Sequence, residues 1–412
     1  MNKSPRLVAL ETLYSIFYDG SYSNIALDKA LSDIKENKAF ISALVYGVTE
    51  RKITLDYFID KYAQGRIKPK VRIVLWLGAY QLLFMDKVPS SASINESVKL
   101  VKEIKQDYYS KLVNAVLHKI DNDRQIPDDL SVKYSVPENL INMWKKQYGE
   151  DVLNEFLPCI NDKPPLFAIP NKKFVNSDEL LYELECDGIL GEAYDEFVLI
   201  ENANDLTDSK AFKNGLFYIE DLSSFNCANA LDALGDDLVL DMCSAPGGKA
   251  FTISQHMNNS GKIYCYDLHE HRLNLIKNGA KRLSIDNIYT DVNDATVYNE
   301  NIPKADKILC DVPCSGFGII RRKPEIRYKD LDSVKDLPQI QYKILETSSR
   351  YLKDGGRIIY STCTLNKKEN ENVVNKFLKD HSGYKLLKDK TVFPSTVGGD
   401  GFYYAIMVKN EN

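Results

Sequence analysis

The chain has 412 residues, 44% hydrophobic and 27% charged, with a net charge of -5. That length exceeds the size at which one hydrophobic core stops growing, so at least two domains are expected. No apolar run reaches membrane-spanning length, and the acidic balance argues against a uniformly basic coat while allowing local basic patches. The eight cysteines (Cys159, Cys186, Cys227, Cys243, Cys265, Cys310, Cys314 and Cys363) lack the C-x-x-C pairing of a zinc site and the density of a disulfide scaffold, so reduced thiols and no metal are expected. The opening residues run straight into helix-period sequence without a signal-peptide core, which gives the expectation of a cytoplasmic protein.

Residues 1–125 read as amphipathic helices, broken near Asp19-Gly20, Gly65, Pro69 and Pro89. Leu7, Leu10, Leu13 or Tyr14, and Phe17 form a stripe at helical spacing. The segment Val71 to Met85 is apolar on most sides and suits the central helix of a bundle, with Ser90 and Ser91 as N-caps of the next helix. From Leu75 to Val98 the string L-W-L-G-A-Y-Q-L-L-F-M-D-K-V-P-S-S-A-S-I-N-E-S-V resembles the NusB-like antitermination-factor domain, which implies an all-α RNA-binding bundle. Just before the central helix, Lys61, Arg66, Lys68, Lys70 and Arg72 form a basic stripe with Tyr62 and no acid. Such a stripe is either a solvated helix end or a phosphate-binding surface; the resemblance favours RNA.

Residues 126–160 carry two expected helices, Glu138 to Gln147 and Glu150 to Leu157, and read as a helical connecting subdomain. Residues 161–220 alternate strand, helix and strand and read as a small α+β subdomain. From 221 to 412 short apolar strands alternate with helices: 238–240, 262–266, 288–289, 307–310 and 357–360 are strands, and 249–257 and 270–283 are helices. That alternation predicts an α/β, doubly wound parallel sheet, closed by a final antiparallel strand from Phe402 to Val408.

The first strand of this sheet leads through Asp241-Met242-Cys243-Ser244-Ala245-Pro246-Gly247-Gly248-Lys249 into a helix. Paired glycines let backbone approach a ligand at a helix N-terminus. The loop is neither G-x-G-x-x-G nor a Walker phosphate loop. Asp267 follows the second strand, where an acid can accept both ribose hydroxyls, and Asp294 follows the third, near an adenine edge; Arg272 and Asp311 are assigned to the same ligand. An adenosine without pyrophosphate remains, and S-adenosylmethionine fits. The string D-M-C-S-A-P-G-G-K is similar to the first motif of RNA (cytosine-C5) methyltransferases, with Ala250 in place of a frequent Thr. That similarity implies a Rossmann-like fold dependent on S-adenosylmethionine.

Two further cysteines sit just past strand ends, Cys314 in Asp311-Val312-Pro313-Cys314-Ser315-Gly316 and Cys363 in Ser361-Thr362-Cys363-Thr364. C5 of cytosine is not nucleophilic until a thiolate adds to C6, and a second group must then help remove the C5 proton. The residues themselves do not say which cysteine has which task. The Pro-Cys and Thr-Cys pair resembles the Nol1/Nop2/Sun family, which implies Cys363 as nucleophile, Cys314 in product release, Asp311 on the base edge and Lys249 beside the base. Where that family has Arg-Val-Asn, this chain has Ile169-Pro170-Asn171, so the Arg is lost and Asn171 is the expected RNA contact. Arg321, Arg322 and Lys323, just beyond Cys314, are expected to meet RNA phosphates or to form a solvated loop. A NusB-like domain ahead of this fold resembles the arrangement of bacterial 16S ribosomal RNA (cytosine-C5) methyltransferases, and that resemblance implies a monomer acting on 16S ribosomal RNA or a small-subunit precursor. The alternatives are another cytosine-C5 target, such as transfer RNA, or a non-catalytic RNA-binding scaffold.

Overall fold

The computed structural model describes residues 3–202, 206–394 and 398–411. The chain forms two compact units, residues 1–162 with 320–331, and residues 163–319 with 332–412. The expected segment at 126–160 therefore groups with the helical unit and the one at 161–220 with the α/β unit. Residues 320–331 depart from the reading of 221–412 as one continuous body.

The helical unit is built from α1 (Pro5–Tyr18), α2 (Ser23–Leu31), α3 (Lys38–Tyr62), α4 (Pro69–Phe84), α5 (Ser90–Glu103) and α6 (Ser110–Asn122), followed by α7 (Leu130–Tyr134), α8 (Glu138–Tyr148) and α9 (Glu150–Phe156). α4 is central: Val71 and every residue from Ile73 to Ala79 are buried, so no polar face is left to solvate. Gly78 lets α6 approach, because a Cβ there would stand 2.6 Å from Leu117. Leu10 and Leu13 are buried, and Leu7, Tyr14 and Phe17 pack against the same core. Ser90 and Ser91 do not cap α5. Pro89 takes the capping position in an extended conformation, and Ser90 is already helical.

Within this unit the segment 320–331 is held by Arg327, which is fully buried. Its guanidinium donates to Glu50 O at 2.9 Å, Ser135 O at 3.2 Å and Asn161 Oδ1 at 2.9 Å. Tyr328 donates to Thr49 O, and Glu325 accepts from Ser23. A charge can be buried here because carbonyl-type acceptors surround it.

The α/β unit holds β1 (Leu166–Pro170), α10 (Ser177–Cys186), β2 (Gly191–Ala193), β3 (Val198–Ile200), α11 (Lys210–Lys213), β4 (Phe217–Ile219), α12 (Leu222–Asn229), β5 (Leu238–Asp241), α13 (Gly248–His256), β6 (Lys262–Asp267), α14 (Glu270–Arg282), β7 (Ile288–Val292), β8 (Ala305–Asp311), α15 (Leu337–Ser349), β9 (Leu352–Thr362), α16 (Glu371–Asp380), β10 (Tyr384–Val392) and β11 (Phe402–Lys409). A small antiparallel sheet runs β2-β3-β1-β4, and the main sheet runs β10-β11-β9-β8-β5-β6-β7. β5 pairs in parallel with both β6 and β8, while β11 is antiparallel to β9, as the sequence predicts. The sheet winds in opposite directions from β5, so the crevice at its carboxyl edge, between β5 and β8, is where such a fold receives a ligand. β10 is not visible in the sequence. It is an edge strand whose lysines (Lys385, Lys388 and Lys390) replace an apolar run. No helix among the described residues is long and apolar enough to cross a membrane.

Candidate active site

β5, β6 and β8 each end on an aspartate, Asp241, Asp267 and Asp311, and β9 ends on Thr362. Between β5 and α13 the loop turns at Gly247, whose φ of 111° suits glycine. A Cβ on Gly248 would lie 3.1 Å from Glu220 Oε1, a tight contact with the end of that side chain. Asp241 is 1% exposed, and neither of its carboxyl oxygens finds a well-formed hydrogen bond among the described residues; Ser244 Oγ is in the same position. Burial pushes the Asp241 carboxyl up to about 7, with the neighbouring Ser244 hydroxyl opposing the shift.

Asp267 is buried, accepts from His269 N at 3.1 Å and pairs with Arg272 at 2.9 Å. Arg272 also donates to Ala245 O at 2.8 Å, so it ties the second strand's acid to the loop that contains Pro246. Cys243 packs its side chain against the core and offers the loop only its backbone. Asp294 is exposed, and its Oδ1 accepts from Thr296 N and Oγ1. Asn293 beside it is buried, and its amide nitrogen finds no hydrogen-bond partner among the described residues. Buried polar groups are normally paired, and the unpaired ones here lie on the loop or at strand ends facing the carboxyl edge. Asp241, Ser244 and Asn293 thus offer acceptors and a donor at the carboxyl edge, and S-adenosylmethionine fits this donor set. Sequence reasoning missed Asp241 and Asn293 as ligand groups, although each adjoins a residue it assigned or a strand end it recognised.

Lys249, Asp311, Cys314 and Cys363 come together. Lys249 Nζ donates to Asp311 Oδ2 at 2.7 Å and Ser361 Oγ to Asp311 Oδ1 at 2.8 Å, which fixes the carboxylate plane. Burial alone would lower the Lys249 ammonium, but Asp311, with the Cys227 thiol and Glu220, outweighs it and keeps the lysine charged. Cys314 Sγ lies 3.3 Å from Cys363 Sγ. This contact, followed by burial and the charges of Glu369 and Asp311, raises the Cys314 thiol well above its ordinary value. Gly318 N donates to Cys363 O and Gly318 O accepts from Gly401 N, a backbone clasp that a Cβ would break, being 2.0 Å from Gly401 O.

The residues expected to meet RNA fare differently. Asn171 is 1% exposed and donates to Gly215 O at 2.9 Å and Leu283 O at 2.8 Å, so its side chain is engaged inside the α/β unit and corrects the expected RNA contact. Arg72 pairs with Asp56 and Asp60, both on α3 just before the stripe, and Lys61 with the distant Asp123, so these acids neutralise part of the stripe. Lys68 donates to Gln106; Arg66 and Lys70 are exposed. Arg321 is buried rather than solvated, Arg322 is half-buried, and half-buried Lys323 stands over Tyr22, all within the helical unit.

This cofactor loop, on this sheet and beside these acids, makes the α/β unit a methyltransferase dependent on S-adenosylmethionine. Residues 228–408 match the family model described as 16S rRNA methyltransferase RsmB/F, and residues 3–122 match the NusB family. A probable ribosomal RNA small subunit methyltransferase B of Bacillus subtilis (strain 168) is 33% identical, over 98% of this chain and 99% of that protein. A counterpart in Synechocystis sp. is 30% identical, over 93% of this chain and 90% of that one. The crystal structure of PH0851 is similar with a TM-score of 0.83 and 27% identity, covering 99% of this chain and all of that one (100%). NSun6 from Pyrococcus horikoshii, solved with SFG, shares the fold at a TM-score of 0.61 and 21% identity, over 67% of this chain and 99% of that one. The chain belongs to the RsmB/F family of rRNA methyltransferases, with a NusB domain on its N-terminal side.

Proposed function

We propose that the protein methylates C5 of a cytosine in small-subunit ribosomal RNA, with Cys363 as the nucleophile and Cys314 assisting release. The observation that carries this reading is the contact of the two thiols at 3.3 Å beside a carboxylate oriented by Lys249 and Ser361. S-adenosylmethionine supplies the electrophilic sulfonium methyl. Cys363 adds as thiolate to C6, forming a C–S bond and making C5 enamine-like. Asp311 accepts from the exocyclic amine of the base, and Lys249 stabilises negative charge as it develops on the ring. C5 then takes the methyl, the new C–C bond forming as the methyl–sulfur bond breaks and S-adenosylhomocysteine leaves. With Cys314 as base accepting the C5 proton, the C5–C6 double bond is restored, the C–S bond breaks and the Cys363 thiolate returns.

The proton distribution supports this division of labour. The largest influence raising the Cys314 thiol is Cys363 itself. Once Cys363 is bonded to carbon that influence is removed, and Cys314 is the thiol left to act when the adduct must be resolved. The target base has to leave any stack to reach the thiols, so a single-stranded or flipped cytosine is required.

The test is tritium-methyl transfer to small-subunit RNA. Cys363→Ser is expected to abolish transfer, and Cys314→Ala to accumulate a protein-RNA adduct that survives a denaturing gel. Normal transfer by Cys363→Ser would remove it as nucleophile. Normal turnover without adduct in Cys314→Ala would remove that cysteine from release.

A further inference from the structure

Glu369 precedes α16, is fully buried (0% exposed) and accepts four hydrogen bonds. Oε1 takes Ser315 Oγ at 2.6 Å and Asn366 Nδ2 at 2.8 Å. Oε2 takes Ser315 N at 2.9 Å and Gln341 Nε2 at 3.0 Å. The donors come from the loop of Cys314, the loop after Cys363 and α15. Gln341 Nε2 also donates to Pro313 O at 2.9 Å. Both residues flanking Cys314 are therefore held by one carboxylate and its amide partner.

The Cys363 side is tied in as well. Ser315 Oγ lies 2.6 Å from Thr364 Oγ1, which also accepts from Phe317 N. Thr362 Oγ1 donates to Asn370 Oδ1 at 2.6 Å, and Asn370 Nδ2 to Thr364 O at 2.9 Å, bracketing Cys363 from both sides. A carboxylate wholly removed from water is costly unless fully paired, and apolar side chains would fill such a site more cheaply for stability alone.

We infer that Glu369 is a positioning residue that clamps the Cys314 loop to the Cys363 loop and sets a carboxylate beside Cys314. The inference rests on the two-cysteine reading above and deepens it. The charged and titratable groups around Cys314 are Cys363, Glu369, Asp311 with its partner Lys249, and Tyr360. Of these Asp311 is in a direct ion pair with Lys249, whereas Glu369 takes only neutral donors among the described residues; both carboxylates raise the Cys314 thiol.

The test uses the full chain, small-subunit RNA and tritiated S-adenosylmethionine. Glu369→Gln keeps the shape, removes the charge and sets an amide against Ser315 N–H or Gln341; a misplacement near 1 Å gives a fall in kcat of about a hundredfold. The expected result is that loss with cofactor affinity unchanged, and a pH profile of kcat moved to lower pH because Cys314 loses its proton more readily. Gln341→Ala retains the charge but frees Pro313 O, so it is expected to lower kcat without moving the profile. Unchanged kcat and profile in Glu369→Gln overturns the inference. So does unchanged kcat in Gln341→Ala, which decides the matter if Glu369→Gln fails to bind cofactor. Cys314→Ala run alongside separates the two ideas: adduct there with a wild-type Glu369→Gln sinks only the role of Glu369, and no adduct sinks the two-cysteine reading.

Discussion

Asn171 offers a test in which sequence and structure point in different directions. Its amide donates to two buried carbonyls, Gly215 O and Leu283 O, and its Oδ1 accepts from Lys173 N. Asn171→Ala leaves both carbonyls without that donor. An acceptor left unsatisfied in the interior costs about 1–3 kcal/mol, so the pair amounts to about 2–6 kcal/mol. In a unit of this size each kcal/mol moves the midpoint by about 2–4 °C, giving a fall of roughly 4–24 °C. Calorimetry of the full chain reads this directly, and filter binding at a temperature where the variant is folded reads RNA affinity, expected to be unchanged. An unaltered melting profile with weakened RNA binding would refute the structural role.

Arg327→Met strips the donor from Glu50 O, Ser135 O and Asn161 Oδ1 in the helical unit, and is expected to cost about 3 kcal/mol or more; an unshifted urea midpoint would contradict the anchoring role. For Asp241 the folded carboxyl sits at about 7 against an ordinary 3.8, so the folded state holds a proton that the unfolded chain has already lost. Stability from this group is full below pH 4 and declines as pH rises through 7. Asp241→Asn without cofactor should therefore gain on the wild type between pH 5 and pH 8, by up to about 4 kcal/mol, while binding S-adenosylmethionine more weakly. A stability gap that stays constant across that range would refute the assignment.

The cofactor loop and both cysteine strings were legible because each is a run of consecutive residues at the end of an apolar strand. The parallel strands were legible for the same reason. β10 was not, since Lys385, Lys388 and Lys390 on an exposed edge leave no apolar pattern to read. Glu369 was hidden by topology, because its partners Ser315, Gln341 and Asn366 lie on separate segments that meet only in the folded sheet. The basic stripe misled through omission. The run from Lys61 to Arg72 begins just after Asp60, and its letters do not show that Asp56, Asp60 and the distant Asp123 pair with Arg72 and Lys61 in the fold.

The route of the chain through residues 320–331 limits how this enzyme can be taken apart. Severing it after residue 162 would not yield two independent modules. The N-terminal fragment would lack the arginine that satisfies Glu50, Ser135 and Asn161, and the C-terminal fragment would carry a stranded insert with a naked guanidinium and Tyr328 a few residues beyond Cys314. The two folds are interleaved rather than joined end to end. Domain shuffling by fusion or loss at that single junction would have to rebuild this insert as well, and a split enzyme would have to be cut elsewhere.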